Sequence, residues 1–578
     1  MLSTTAFGHG KDADNAKLGE NHALKLLGKH VFFDKSLSRS GEMGCVSCHE
    51  PFAGGTNGDS EINARQVAVT SANGVDLGRR KPQTNTYASF IGPFVECDRG
   101  GPSPITDTEK GITGKRYCGG NFWDGRALGR MKTEDESLLN LILGATEHIG
   151  EEIFYNIEQR KANRYQQYIS SISDQAINPI PNDAEQDMSR YDVCQTVANS
   201  SYAFLYKKAW GVRVNCSADI ATGNDTFVDI TFKRLMFSVG AYQHSKDKNS
   251  FSSKRDLALR AELACVDKTL RRHRDPAVCR MVRKLKKTNP DKEYGKFPLV
   301  LFTDEENLGH DLFYNVQFAG IQRTRTDLPA TQCAFCHSDD PGLDDGTELQ
   351  QIYSDRAYHN IGTPPNPEIP ALAGQDVGVA KITRSLDGPT HFDGFFRAVT
   401  LRNTAKGASD EFTKGYTHNG FFKSLKSLVH FYVTRSTLGD SCNTRLANGN
   451  LLDDAGLPLP LDTPLTEAVA LKYNCWPAPE FPVFASPTNL VGGLGTPEQP
   501  VTEEHEDALV AYLQTLSDTH DAKPPVLLQF GVRNPLASVL GGDDLDSMIC
   551  DEGATRGDCV GLEEAMQLLG EDWLSADQ

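Results

Sequence analysis

A chain of 578 residues is too long to fold around one hydrophobic core, so we expect at least two domains. Hydrophobic residues make up 39% of the sequence and charged residues 24%, which is typical of a globular protein and not of a disordered one. No apolar run approaches the roughly 20 residues that a membrane-spanning helix needs. Acidic residues (77) outnumber basic ones (59), and the resulting net charge of −18 argues against nucleic acid as a partner.

The first half of the chain alternates helical patterns with loops rich in Gly, Pro and Asn. From about residue 20, ALKLLGKHVFFD predicts a helix that runs into the sequence GCVSCHE. Two later segments, EEIFYNIEQRKANRYQQYISSI and DITFKRLMFSVGAYQHS, carry apolar residues at helical spacing and predict further helices. Patterns typical of strands are scarce. The sequence therefore predicts a mainly α fold.

A polar, basic stretch over residues 268–296 separates the two halves and is predicted to be a boundary region or a surface excursion. The second half then opens with TDEENLGHDLF, in which a Thr precedes three acidic residues. Thr is a good helix N-cap and acidic side chains stabilise a first turn, so we expect an amphipathic helix here. This helix again leads into a C-x-x-C-H sequence, QCAFCHS.

Both C-x-x-C-H sequences have the spacing that attaches haem c, because two thiols bond to the haem vinyl groups and the following His coordinates the iron. A lone C-x-x-C also occurs in zinc sites and redox-active disulfides. Here a His adjoins both copies, and no further C-x-x-C is present to complete a zinc site. We expect two covalently bound haems, one on Cys45, Cys48 and the proximal ligand His49, the other on Cys333, Cys336 and the proximal ligand His337.

The order of helix, haem motif and long loop-rich segment occurs twice, which predicts two cytochrome c-like domains in tandem. We expect an N-terminal haem domain over residues 1–297, with insertions at about 150–295, and a C-terminal haem domain over residues 298–520. Residues 521–578 are predicted to be an extension, with acidic clusters and no motif that indicates a role.

The other ten of the 14 cysteines fall into five sequential couples. An even number of thiols outside the haem motifs is typical of an oxidising compartment, and c-type haem is attached outside the bacterial inner membrane. The first residues, MLSTTAFGHGKD, lack the features of a secretion signal, so we interpret the sequence as a processed form. We expect a periplasmic or cell-surface protein with disulfides Cys97–Cys118, Cys194–Cys216, Cys265–Cys279, Cys442–Cys475 and Cys550–Cys559.

The two haems are predicted to differ at the sixth position on the iron. No His lies between His49 and His148, and the only Met in that interval, Met131, is in a polar stretch. A haem that forms an oxidant leaves one axial position open, whereas an electron carrier fills both. We therefore expect the first haem to have an open distal side, where peroxide can bind.

For the second haem, Met is excluded as an axial ligand from its own domain, because no Met lies between Met281 and Met548. In SLKSLVHFYVTR, the residues Leu425, Leu428, Val429 and Tyr432 share one helical face, and His430 points elsewhere. Tyr432 is favoured on this pattern, although a Tyr on an apolar face is also ordinary core. The candidate ligands are His359, His391, His418, His430 and Tyr432.

The residues collected so far resemble the bacterial di-haem cytochrome c peroxidase superfamily, including its MauG branch, over about residues 20–520. The resemblance depends on the order of eight motifs rather than on any single one. They are LGKHVFFDKSLS, GCVSCHEPFAGG, FWDGRAL, TDEENLGHDLF, YHNIGTP, VTLRN, YTHNG and TEEHEDALVAYLQTLSD.

The resemblance implies a role for three side chains. Trp123, in FWDGRAL, matches the aromatic residue that relays electrons between the haems, although core packing is the ordinary use of a Trp. Glu147, in GATEHIG, matches a distal carboxylate that moves a proton between the peroxide oxygens, although it also suits the acidic start of a helix. Counting from His418 to the family ligand position again selects Tyr432, whose anionic oxygen would lower the haem potential.

Three departures from the family pattern stand out. The Gln that family members often place between the Trp and the Glu is absent, with Ser137 near its position. The loop after the first haem has no His to block the iron, so we expect activity without prior reduction, as in the MauG branch. The resemblance also makes calcium a candidate cofactor at an interdomain site, with Lys81 near the position of the family Asn and with Thr413 and Gly415, the latter where a Pro is usual, as the remaining counterparts.

The resemblance implies an enzyme that reduces hydrogen peroxide at the N-terminal haem and oxidises an external donor, a protein, by electron transfer through Trp123 and the Tyr432-ligated haem. Insertions after Glu147 and between Cys442 and Cys475 are candidates for the docking surface. Three alternatives remain open: an ordinary cytochrome c peroxidase with a small cytochrome donor, a rubber-oxygenase-like dioxygenase, which Glu147 and FWDGRA disfavour, and a pure electron carrier with two six-coordinate haems.

Overall fold

The computed structural model describes most of the chain between residues 18 and 525 as a mainly α-helical fold, as the sequence predicts. The described residues are 18–97, 117–129, 147–316, 325–339, 344–369, 376–387, 392–409, 411–435, 438–481, 495–496, 499–525, 548–549 and 560–561. Among them, no helix has the length and apolar content needed to cross a membrane.

The α-helices, numbered in chain order, are α1 (Leu18–Phe33), α2 (Cys45–Cys48), α3 (Ser60–Arg65), α4 (Gln159–Tyr165), α5 (Ser171–Ala176), α6 (Arg190–Ala198), α7 (Ala203–Trp210), α8 (Phe227–Gln243), α9 (Lys254–Leu263), α10 (Pro276–Thr288), α11 (Asp304–Phe313), α12 (Cys333–Cys336), α13 (Ala380–Asp387), α14 (Leu425–Thr434), α15 (Cys442–Ala447), α16 (Glu467–Tyr473) and α17 (Glu503–Gln514).

The strands within the described residues are two or three residues long and form antiparallel pairs of sequence neighbours. The pairs are β1 (Val95–Glu96) with β2 (Tyr117–Cys118), β3 (Ile220–Thr222) with β4 (Asp225–Thr226), β5 (Tyr358–His359) with β6 (Phe396–Arg397), β7 (Gly495–Thr496) with β8 (Gln499–Pro500), and β9 (Met548–Ile549) with β10 (Val560–Gly561).

The core of the N-terminal half forms where α1 crosses α8. Helix α8 starts at a capping box between Thr226 and Asp229 and is buried along most of its length. A Cβ atom on Gly28 would lie 1.8 Å from the backbone oxygen of Ser238, so only a glycine permits this approach of the two helices. Helix α1 then leads directly to the first haem motif.

The C-terminal half repeats this arrangement with α11 and α17. The predicted N-cap, Thr303, accepts a hydrogen bond from the backbone N–H of Glu306, and the Glu306 carboxylate closes the capping box. A Cβ atom on Gly309 would lie 1.9 Å from the backbone oxygen of Ala508, which again requires a glycine at the crossing. The tandem repetition predicted from the sequence is therefore visible in the packing of both halves.

Two predicted segments differ in detail from the structure. The helical stretch after residue 150 is divided into a 3-10 turn (Glu151–Phe154), α4, a second 3-10 turn (Gln166–Tyr168) and α5. The break after the first turn occurs where Asn156 takes a left-handed backbone conformation, with φ of 57°, which a helix cannot continue through. The basic stretch contains α10, whose inner face packs on α9, so it is a helical surface excursion.

Four of the five predicted disulfides are present, and their pairing is that of sequence neighbours. The fifth predicted pair, Cys550–Cys559, lies outside the described residues. The free thiols among the described residues belong to the two haem motifs: Cys45, Cys48, Cys333 and Cys336.

Candidate functional site

The first haem motif consists of the single helical turn α2 followed by His49. The Nδ1 atom of His49 lies 2.9 Å from the backbone oxygen of Gly55, so this nitrogen donates and Nε2 is left to bind the iron. Desolvation by the surrounding protein lowers the pKa of His49 to about 4. The imidazole is therefore neutral at physiological pH, as a metal ligand must be.

The second motif has the same construction. The Nδ1 atom of His337 lies 3.2 Å from the backbone oxygen of Tyr353, and desolvation lowers the pKa of His337. Desolvation also raises the pKa of the motif thiols, to about 12 for Cys45 and about 11 for Cys333. Two unpaired thiols beside a neutral, oriented imidazole fit a covalently attached haem at both motifs.

A cavity of about 330 Å³ lies between Glu147, Arg126 and the segment 177–190. The same segment also contacts the first haem motif. There Gln186 Oε1 is 3.8 Å from Cys45 Sγ, and the charge of Glu185 raises the pKa of the thiols of Cys45 and Cys48. The lining residues are Arg126, Glu147, Ile177, Asn178, Pro181, Asn182 and Arg190.

Glu147, the predicted distal carboxylate, lines this cavity with 38% of its side chain exposed. Its carboxylate pairs with the guanidinium of Arg190 and lies 3.1 Å from Lys233 Nζ. Burial alone would raise the pKa of Glu147, but the hydrogen bonds and charges of Arg190 and Lys233 outweigh it and hold that pKa below its usual range. Glu147 is therefore a carboxylate at neutral pH and can accept a proton.

Asp174, which the sequence did not single out, fixes the two loops that carry Glu147 and the FWDGRAL motif. Its buried carboxylate accepts hydrogen bonds of 2.8 Å from the backbone N–H of Ile149 and from that of Gly129. Burial raises the pKa of Asp174 to about 6. Asp174 is a positioning residue that sets the spacing between Glu147 and the tryptophan motif.

Trp123 is buried and contacts segments from both halves of the chain. Its indole Nε1 donates a 2.9 Å hydrogen bond to the backbone oxygen of Lys81, and its ring centroid lies 6.5 Å from that of His418. Its backbone oxygen accepts a 3.0 Å hydrogen bond from the N–H of Arg397 in β6. The partner strand of β6 carries His359, whose Nδ1 is 3.9 Å from Cys336 Sγ in the second motif.

Three of the four histidines weighed as ligands of the second haem have a ring nitrogen bonded to a carboxylate. His359 Nε2 lies 2.8 Å from Asp355, His418 Nε2 lies 3.1 Å from Glu480, and His430 Nδ1 lies 2.9 Å from Glu506. His391 lies outside the described residues, as do Met131 and Ser137. The predicted ligand face of α14 is not one packed surface, because Leu425 and Val429 pack against α17 whereas Leu428 packs in a separate cluster.

Tyr432 lies on α14 near the second motif. Desolvation, followed by the proximity of Cys336 and Cys333, raises the pKa of the Tyr432 hydroxyl. Within the described residues, no hydrogen bond engages that hydroxyl. The side chain is thus available to an iron atom, which would have to displace its proton to gain an anionic oxygen ligand.

The residues at the expected calcium position do not fit a calcium ion. Calcium takes six to eight oxygen ligands and favours carboxylates. Here the backbone oxygen of Thr413 already accepts a 3.0 Å hydrogen bond from Asn63 Nδ2, and the stem of Lys81 lies against Gly415. Burial, with no carboxylate acting against it, lowers the pKa of the Lys81 amine to about 7 and also lowers that of Lys414.

Comparison with known proteins agrees with this construction. The model of the family "Di-haem cytochrome c peroxidase" matches residues 22–263. The methylamine utilization protein MauG of Paracoccus denitrificans is 22% identical over 500 residues, which cover 86% of this chain and 89% of MauG. The diheme peroxidase BthA of Burkholderia thailandensis superposes with a TM-score of 0.50 at 20% identity, covering 87% of this chain and 88% of BthA.

A BthA variant with one Tyr replaced by Met superposes with a TM-score of 0.51 at 19% identity, covering 86% of this chain and 87% of the variant. The resemblance predicted from the motifs is confirmed: this chain is a di-haem c-type oxidoreductase related to the bacterial cytochrome c peroxidases. Within that class, MauG and BthA are relatives that it resembles over most of its length.

Replacing Asp174 tests its positioning role. The variant Asp174→Asn keeps the shape of the side chain but has one acceptor oxygen instead of two. One of the two backbone N–H groups, that of Ile149 or that of Gly129, would then face an NH₂ group and lose its acceptor. We expect a loss of about 1–3 kcal/mol in unfolding free energy, measured by thermal unfolding of the holoprotein at neutral pH. The exposed control Asp183→Asn should change little. If Asp174→Asn and the unmodified protein had the same melting temperature, this positioning role would be contradicted.

Proposed function

We propose that this chain reduces hydrogen peroxide at the haem attached through Cys45 and Cys48 and takes the electrons from an external protein donor. The observation that supports the proposal is a cavity lined by an ionised carboxylate, Glu147, and by the segment 177–190, which also contacts Cys45 of the first motif. Near the second motif, by contrast, lies Tyr432, whose hydroxyl makes no hydrogen bond among the described residues. Two sites of unequal character favour an enzyme over a simple electron carrier.

Glu147 is suited to act as the proton shuttle. When bound, the haem would supply the iron that binds peroxide and is oxidised by it. The carboxylate accepts the proton from the near peroxide oxygen and returns it to the far one, which then leaves as water. Arg190 and Lys233 keep this carboxylate ionised beforehand, and Asp174 holds its loop in place.

Trp123 is suited to pass electrons between the two sites. Electron transfer slows steeply with distance, so a buried aromatic ring between two redox centres speeds transfer between them. The hydrogen bond from Nε1 to Lys81 fixes the indole, and the backbone bond to Arg397 joins it to the strand pair that approaches Cys336. A fixed ring loses little energy to reorganisation when its charge changes.

The donor is proposed to be a protein, because both motif histidines are largely buried and a large donor would have to reach the haems by electron transfer. Electrons from such a donor would enter at the surface of the C-terminal half and travel inward. The four disulfides support a site of action in an oxidising compartment outside the cytoplasm.

The assignment of Tyr432 predicts the magnetic spectrum of the holoprotein. The ferric protein should show one high-spin haem, open at its sixth position, and one low-spin haem. In Tyr432→Phe the phenolic oxygen is missing, so the low-spin signal should be replaced by a second high-spin signal in electron paramagnetic resonance. The control Tyr473→Phe, at a half-buried tyrosine of the same half, should keep the low-spin signal. An unchanged spectrum of Tyr432→Phe would refute the ligand.

The charge pair at Glu147 predicts a pH effect. Arg190→Met removes the side chain that lowers the pKa of Glu147 most, so the pKa of Glu147 should rise. Because Glu147 must be ionised to take the proton, the acidic limb of the rate of reaction with peroxide should move up by about one pH unit. The exposed control Lys208→Met should leave the acidic limb of the rate profile in place. An acidic limb that also stays in place in Arg190→Met would show that Glu147 is not the proton acceptor.

A further inference from the structure

Two lysines are buried between the halves of the chain without a carboxylate partner. Lys414 belongs to the C-terminal half, and its Nζ donates three hydrogen bonds to backbone oxygens. These are Ala53 at 2.9 Å, in the loop that follows the first haem motif, and Asn403 and Lys406 at 2.8 and 3.0 Å. Through these three contacts, Lys414 ties the first haem loop to the C-terminal half.

Lys81 makes a second connection a short distance away. Its Nζ donates a 2.9 Å hydrogen bond to Thr56 Oγ1, one residue beyond Gly55, whose backbone oxygen orients His49. Its backbone N–H donates to the oxygen of His418, and its backbone oxygen accepts from Trp123. Lys81 thus contacts the first haem loop, the indole between the two sites, and the C-terminal half.

We propose that Lys81 and Lys414 take over the place that related di-haem peroxidases give to calcium, so that this chain joins its haem domains with its own amines. Lys81 lies near the sequence position of the expected Asn ligand, and Lys414 lies between Thr413 and Gly415, the two expected carbonyl ligands. A calcium ion gathers oxygen atoms from both domains. The two amines gather oxygen atoms from both halves in the same way, through N–H donors.

This substitution has a physical consequence for the first haem. The backbone oxygens of Ala53 and Gly55 and the hydroxyl of Thr56 belong to one tight loop, in which Gly54 and Gly55 both have left-handed φ values of 71° and 73°. A Cβ atom on Gly54 would lie 2.7 Å from Asn403 Cβ, so the loop is pressed against the C-terminal half. The amines are covalent parts of the chain, and a chelator cannot remove them.

The direct test is made on the holoprotein as purified. Elemental analysis after dialysis against calcium-free buffer should find far less than one calcium per chain. The melting temperature should be the same, within about 1 °C, in excess EGTA and in millimolar CaCl₂. One calcium per chain together with a lower melting temperature in EGTA would overturn the proposal.

A second test removes one amine at a time while keeping the length of the side chain. Lys414→Met removes three hydrogen bonds and leaves the backbone oxygens of Ala53 and Lys406 without these donors, so it should lower the melting temperature by about 5 °C or more. Lys81→Met should lower it by a smaller amount, and CaCl₂ should restore neither. The exposed control Lys472→Met should melt like the unmodified protein. Rescue of either variant by CaCl₂, or unchanged melting of Lys414→Met, would overturn the proposal.

Discussion

Both haem sites depend on one backbone carbonyl each, which fixes the imidazole that follows the two cysteines. For His49 the carbonyl is that of Gly55, and for His337 it is that of Tyr353. A ring held through Nδ1 presents Nε2 in one direction only, so the position of the iron is set by the loop that carries the carbonyl. The rest of the fold must therefore hold two loops in place.

The two loops are held by different means. The loop of Gly55 is short and rich in glycine, and buried lysine amines reach it from outside. The ring of Tyr353 lies in an aromatic core, where its hydroxyl is 3.1 Å from that of Tyr512 and the guanidinium of Arg402 lies near its face. Arg402 in turn forms a fully buried ion pair with Asp256. The breaking of such a pair costs about 3–5 kcal/mol, so this support is rigid.

The two haem sites differ in their chemical surroundings as well as in how their loops are held. The segment that contacts the first motif also lines a polar cavity with a carboxylate and two guanidinium groups. The second motif lies near the hydroxyl of Tyr432. A peroxidase needs both environments, because the oxygen chemistry requires protons and water, whereas storage and onward transfer of charge require their exclusion.

The sequence predicts what is local or strongly patterned. The haem motifs, the capping box at Thr303, four disulfide pairs and the helical class all follow from short spacings. The helix break at Asn156 does not, because a left-handed residue inside an apolar pattern has no sequence signal stronger than the pattern itself.

The site residues that the sequence analysis did not predict lie in segments outside the recognised motifs. Asp174, Arg190 and Lys233 reach Glu147 or its loop from the insertion after residue 150, and their partners are between 25 and 86 positions away in the chain. A single sequence gives no information on such pairings. Lys414 was hidden for a different reason: a lysine between two expected ligands is ordinarily taken for a solvent-exposed side chain.

The central claim is that the first haem is open to peroxide in the resting, fully oxidised protein. The most direct measurement is anaerobic stopped-flow mixing of the ferric holoprotein with one equivalent of hydrogen peroxide and no reductant. The account predicts that the peroxide is consumed at once and that the haem spectrum changes with it. A ferric protein that leaves peroxide intact until one electron has been added would contradict the account, because the first haem would then be closed at rest.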